Sequence, residues 1–491
     1  MKSDVIQYER VYSLIKSKIE CGIIPVGARL PGRSVLCREF GTSERTIRRS
    51  IELLEQDGFI EITQRKRPTV ISAFAAPDGR ALQNTKKTDA AMANNLLQTG
   101  ILICYPILKR GLSICSGDDW RTPELLYNSM NPELPEEFWR RSELLWRFFI
   151  ARNENELLLR VVDSLGFRQK GPVFDSLEER RQYLTDIKKL LNTIKEGGQP
   201  KNYEYKRIFS QYRIDTEQDN KRQFFQLVSP CQILAKADGV EQKLSLVQER
   251  YSTVCLDLLG LIAIGRYQPG DRLPTHDQLQ YIYGVSRDTS VKAVRVLKEW
   301  GVVTAAPRRG ISVVLDLDGL KKIQIEPEAI ACHVRRYLDS LELLSLTVES
   351  AALHAAAYVD KKDAERLKHT LIKQLEMPYE HQLIPRILLD FITEHIQHDA
   401  LCSIYKILAR NFSIGRSIPK LVSADKNLQN CNIYRQCIES ADILISGDNS
   451  GFAKAVSDMF GLVAELINNE CKRLGYWNAA MKVYDGSALW N

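Results

Sequence analysis

Residues 22–31 read GIIPVGARLP, and residues 265–274 read GRYQPGDRLP. The likeness runs outward from this pair at one fixed offset of 243, without a gap, over 8–58 and 251–301. Tyr8 answers to Tyr251, Val11 to Val254, Gly22 to Gly265 and Gly27 to Gly270. Arg29-Leu30-Pro31 returns as Arg272-Leu273-Pro274, while Gly41, Ser43, Thr46 and Gly58 return as Gly284, Ser286, Thr289 and Gly301. Identities this dense at a constant spacing mark an internal duplication.

Both copies imply the same local structure. Tyr8, Val11, Ile15 and Ile19 form an apolar stripe at helical spacing over about 8–20, matched by Tyr251, Val254, Leu258 and Ile262. Gly22 and Gly265 stop these helices, and Pro25 or Pro269 opens the turn that follows. A second helix is expected from Ser34 to Phe40 and from Asp277 to Tyr283. Ser43 and Ser286 are N-caps for a third, which ends at Gly58 or Gly301. Short β segments then flank basic tips: FIEIT (59–63) and TVI (69–71) around Arg65-Lys66-Arg67, and VVTAA (302–306) and ISVV (311–314) around Arg308-Arg309. Three helices and a hairpin in this order make a winged helix-turn-helix.

Charge is distributed to match. Residues 8–72 hold 12 Lys and Arg against 8 Asp and Glu, and residues 250–316 hold 9 against 6; together these excesses equal the net charge of +7. Two basic segments set in neutral protein suit contact with nucleic acid. The third helix can enter a major groove N-terminus first, and a basic wing can reach neighbouring phosphates. The 11 Cys include no C-x-x-C pair and fit reduced, buried thiols. No signal peptide and no apolar run of membrane-spanning length is evident, so a cytoplasmic protein is expected. No P-loop, H-E-x-x-H or G-x-S-x-G motif is present, and neither enzyme activity nor a cofactor is expected.

At GIIPVGARLP and GRYQPGDRLP, and at the helix starts SERTIR (43–48) and SRDTSV (286–291), both copies resemble the DNA-binding domain of GntR-family bacterial transcription regulators. The resemblance covers roughly a quarter of the chain. It implies double-stranded DNA as partner. The DNA-contacting residues it implies in the first copy are Arg29, Ser43, Glu44, Arg45, Thr46, Arg48, Arg49, Arg65, Lys66 and Arg67. In the second they are Arg272, Ser286, Arg287, Thr289, Lys292, Arg308 and Arg309. The copies depart from the family pattern in different ways. Its first helix arginine is Glu44 in one and Arg287 in the other; its second is Arg48 and Val291. The two domains are therefore expected to read different half-sites.

Residues 73–88 are poor in large apolar residues and read as a linker. From about 89 to 235, and again over 325–480, long stretches have helical amphipathic spacing. EEFWRRSELLWRFFIARNENELLLRVVDSL and PRILLDFITEHIQHDALCSIYKILARNF are long examples. The second region weakly resembles the all-helical effector domain of the family's largest branch, through Glu349 and the small residues after it, Asp390 and His395. Such domains often hold a metal through an Asp and three His, but Glu394, Cys437 and Phe460 stand at the His positions here, so no metal is expected. His395 and His398, i,i+3 on one expected helix, are the remaining ligand pair with Asp390, and ordinary helix histidines are their bland alternative. In the first region Trp146 and Phe149 are candidate pocket residues, with core packing as their bland alternative.

The expected architecture is mainly α: a duplicated winged helix-turn-helix plus helical bundles. Its domains are 1–75 (winged helix), 89–240 (helical), 244–318 (winged helix) and 325–491 (helical). The expected function is a sequence-specific transcription regulator responsive to a small organic acid or other small-molecule effector. One chain would form a pseudo-dimer, or two chains a homodimer. The alternative is a protein-interaction or sensor protein whose winged helices no longer read DNA.

Overall fold

The computed structural model describes residues 8, 11, 12, 15, 16, 18, 19, 24, 26–40, 42–63, 66–72, 85–88, 90–165, 176–198, 200, 225–228, 250–306, 309–316, 319, 323, 325–377, 380–418, 421 and 428–484. It divides into two compact units, one built from residues 1–244 and the other from 245–397 and 401–484, with 398–400 grouping with the first. The fold is mainly α, and among the described residues the strands form three two-stranded antiparallel sheets.

Each unit opens with a winged helix whose backbone repeats at the sequence offset. The described positions between 8 and 19 are helical, as is Arg250–Ala263. Helices Arg33–Phe40 and Glu44–Gln56 correspond to His276–Tyr283 and Arg287–Glu299. The wings pair Ile60 with Val70 and Val303 with Val313, the same register twice. Bridges Arg29–Thr69 and Arg272–Ser312 tie each wing to the turn before the second helix. That turn needs a left-handed residue, and Gly27 (φ 91°) and Gly270 (φ 96°) supply it. Their amides donate to Val70 O and Val313 O, both at 2.8 Å. Ile15, Ile19, Leu30, Leu36, Ile47, Leu54 and Phe59 are the centre of the first core, which draws its members from residues 11–70.

The helical region of the first unit packs Ala90–Ile114 and Arg121–Asn128 against Pro135–Ala151. Gly111 allows the first contact: a β-carbon there would lie 1.8 Å from the Phe149 carbonyl oxygen. The long run expected through 136–165 is broken. Helix Pro135–Ala151 ends, Glu154 takes a left-handed backbone (φ 55°), and Asn155 Oδ1 accepts from the amides of Leu157 and Leu158 to start Glu156–Ser164. The stretch read as a linker is also corrected at its end, where Thr85–Thr88 pairs antiparallel with Phe225–Val228. Four residues are too few for alternation to reveal a strand, and the partner lies far along the chain.

In the second unit Pro327–Ala356 is the central helix, packed on Asn449–Arg473 and Tyr476–Tyr484, with Leu428–Ile445 and Lys361–Glu376 completing the layer. Its buried Thr347 and Tyr405 hydroxyls hydrogen-bond at 2.9 Å, which satisfies both inside the core. Helix Arg250–Ala263 of the winged domain lies against this bundle, touching Pro327–Ala356 and the 3-10 turn Gly415–Ser417. Gly415 gives room for the buried Tyr337 ring, whose hydroxyl would lie 2.3 Å from an added β-carbon, and Gly260 gives room for Ser417 Oγ at 2.5 Å. Among the described residues no helix is long and apolar enough to cross a membrane.

Candidate nucleic-acid interface

Each recognition helix is started by its serine. Ser43 Oγ accepts from the Thr46 amide and Ser286 Oγ from the Thr289 amide, both at 3.3 Å. The same hydroxyls meet the Thr46 and Thr289 hydroxyls at 3.0 and 2.9 Å. Thr46 is thereby buried at the start of its helix, while Thr289 is half-buried. The remaining first-turn amides point out of the helix N-terminus, where an anion is favoured.

Behind the helices, one cationic contact is repeated. Arg49 lies over the Tyr8 ring with its guanidinium carbon 5.9 Å from the centroid, and Lys292 lies over Tyr251 at 3.7 Å. These two cations brace the recognition helix against the first helix of its own domain. The cores below differ at several buried positions, among them the one that follows the buried threonine. Ile47 in the first copy is Ser290 in the second, where its hydroxyl donates to Arg287 O at 2.8 Å and meets His276 Nδ1 at 3.2 Å.

Glu44, Arg45, Arg48 and Arg49 are exposed on the first helix, and Arg287 is exposed on the second. Arg29 and Arg272 are exposed beside the wings, as are Lys66, Arg67 and Arg309 at the tips. Arg65 and Arg308 lie outside the described residues. Two charged positions that sequence reasoning passed over belong here. Glu52 approaches Arg48 Nε at 3.6 Å and Arg49 Nη1 at 3.4 Å, and its counterpart is Arg295, which pairs with Glu299 at 3.8 Å. Their signal was the four-residue spacing from Arg48 and Val291.

The candidate pocket residues belong to the helical regions. Trp146 is buried and its indole donates to the Tyr183 hydroxyl at 2.8 Å, while Phe149 is fully buried among Trp120, Trp146 and Phe148. Glu349 is exposed. Asp390 accepts from Arg386 Nε through both oxygens at 2.8 Å. His395 is not on a helix with His398: Ile384–Glu394 ends before it, and the next helix begins at Asp399. Its Nδ1 meets Phe391 O at 2.8 Å and its Nε2 lies 3.6 Å from Asp363. Among the described residues no group of three His, Cys, Asp or Glu could hold a metal ion.

Compared with known proteins, residues 7–70 and 250–313 both match the model described as bacterial regulatory proteins, gntR family. No curated protein matches the chain. Similar solved structures include Lar, described as controlling expression of the Listeria monocytogenes agr system, at 17% identity, covering 45% of this chain and 96% of that one with a TM-score of 0.24. A Streptococcus agalactiae GntR is 16% identical over 44% of this chain and 99% of its own, with a TM-score of 0.21. E. coli McbR/YncC is 16% identical over 48% and 100%, with a TM-score of 0.23.

Proposed function

We propose that this chain, which carries two DNA-binding domains of the gntR family of bacterial regulatory proteins, is a non-enzymatic, sequence-specific transcription regulator. The observation that carries the reading is the doubled recognition helix. Each starts at a serine cap, exposes arginine in its first two turns, and stands beside a hairpin with exposed basic residues. Helix N-termini and basic side chains position a duplex through its phosphates, and arginines at base edges specify it. Double-stranded DNA is the partner in this reading, and the cytoplasm is its place of work.

One chain supplies both readers, forming a pseudo-dimer on an asymmetric operator; a homodimer of chains would instead present four. The helical regions carry the response to a small organic acid or other effector. What supports such coupling in the second unit is a buried hydrogen bond of 2.8 Å between Ser252 Oγ, in the first helix of the winged domain, and His333 Nε2 in the bundle. A change in the bundle is thereby felt by the domain that meets DNA.

The test is selection of genomic fragments by the full chain, followed by footprinting of Arg48→Ala and Arg287→Ala. Each variant is expected to erase protection over a different half-site and to weaken specific more than non-specific binding. Equal losses on operator and random DNA would sink the assignment. No selected fragment at all would leave the winged helices as protein-docking modules.

A further inference from the structure

On the first recognition helix, positions 44, 48 and 52 lie one turn apart on a single stripe and hold Glu, Arg and Glu. The row is closed on itself, since Glu52 is within 3.6 Å of Arg48 and within 3.4 Å of Arg49. The same stripe on the second helix holds Arg287, Val291 and Arg295. No acid stands between the two arginines on this row, and Glu299 pairs with Arg295 from the far end at 3.8 Å. Val291 is 45% exposed.

A lone exposed aliphatic residue needs no explanation on an ordinary surface. This one stands one turn behind the N-terminus of a recognition helix, where base edges are met, between two cations that draw the helix into the groove. Its branched methyls are held in few rotamers, so they form a fixed apolar surface. Of the base edges in the major groove, only thymine offers a methyl group.

We propose that Val291 is a specificity-determining residue of the second winged helix and packs on the C5-methyl group of a thymine. Arg287, on the same stripe, reads a guanine beside it. Four residues of helix span about 6 Å, close to two base-pair steps of about 3.4 Å, so the guanine and thymine lie about two pairs apart. The first winged helix, with Arg48 at the aligned position, has no such methyl requirement. This inference rests on the reading of the chain as a DNA-binding regulator.

Deoxyuridine tests it, because it pairs as thymine does and lacks only the methyl. The full chain is titrated against its selected operator with single thymines replaced by deoxyuridine. In the half-site whose protection Arg287→Ala erases, one replacement is expected to weaken binding roughly fourfold, the worth of one buried methyl. Val291→Ser is expected to weaken the thymine operator by a similar factor and to bind the deoxyuridine operator no worse. Because Val291 is exposed, the variant retains its fold, which circular dichroism checks. In the half-site protected through Arg48, replacement at the aligned position changes nothing. Specific binding that is indifferent to deoxyuridine throughout the Arg287 half-site overturns this inference alone, as does a methyl effect that persists in Val291→Ser. Absence of specific binding to any fragment overturns the DNA reading and this inference together.

Discussion

In the first winged domain Tyr12 donates to Asp57, and Lys16 Nζ lies 3.1 Å from the Tyr12 hydroxyl; in the second the same three places hold Cys255, Trp300 and Leu259. The three polar side chains of one copy are replaced by a thiol and two apolar side chains in the other. The described residues of the first helix are fully buried at Val11, Ile15 and Ile19, a single face. Its counterpart buries Ser252, Val254, Cys255, Leu256, Leu258, Leu259, Gly260 and Ile262, which is nearly the whole circumference. A helix buried all round serves two cores. The extra face of Arg250–Ala263 is the one laid on the bundle. Cys255 reflects this enclosure: burial pushes its thiol up to about 12, and it donates to Ala293 O at 3.2 Å.

The largest effect expected from this difference is in the cores. Phe59 in the first domain is fully buried in a cluster whose described members lie within residues 11–70. Phe59→Ala should cost about 3–5 kcal/mol. Amide exchange should then quicken in Glu44–Gln56 while Arg287–Glu299 keeps its protection; loss of protection in both helices would break the contrast.

A smaller effect is expected at Ser252, which is Glu9 in the first copy, and at its partner His333. Ser252→Ala leaves a buried imidazole nitrogen without this partner, at a cost of about 1–3 kcal/mol. Burial, with the Arg336 charge adding, pushes His333 down to about 3, against about 6.5 in an unfolded chain. The unfolded state therefore binds the proton more readily between these values. The contribution is complete above about pH 6.5 and is lost progressively as the pH falls toward 3. Denaturant midpoints of the second unit should fall over this window, and His333→Gln should flatten the slope. A midpoint equally pH-dependent in both proteins would remove His333 from the account.

The smallest is the cation over the ring. Lys292 sits nearer Tyr251 than Arg49 does to Tyr8. Tyr251→Leu should lose about 0.5–1 kcal/mol and Tyr8→Leu less, measured by exchange of the recognition-helix amides. The reverse order would mean that the two braces are not equivalent.

Much of this contrast was legible in the residues. Gly27 and Gly270, Ser43 and Ser286, and the two wings announce themselves because turns and caps demand particular residue types at particular places. The exchange of Arg48 for Val291 was visible too, but the closed row around Glu52 needed side-chain distances. The strand pair of Thr85–Thr88 with Phe225–Val228 could not be read, because pairing across that separation leaves no local period. The break after Ala151 was hidden as well, since Asn155 acts as a cap only once Glu154 has turned left-handed.

Between the bundle and the second winged domain, the turn Gly415–Ser417 acts as a shim. The Tyr337 ring rests against one side at Gly415, and Gly260 meets the other at Ser417. Its thickness is set at both faces by a glycine hydrogen in place of a methyl group. The seat of the recognition helix is therefore machined to the difference between those two substituents. A methyl at 415 has only a buried ring to displace, whereas one at 260 needs Ser417 to turn aside. The two faces have unequal tolerance, and wear would show first at the tyrosine.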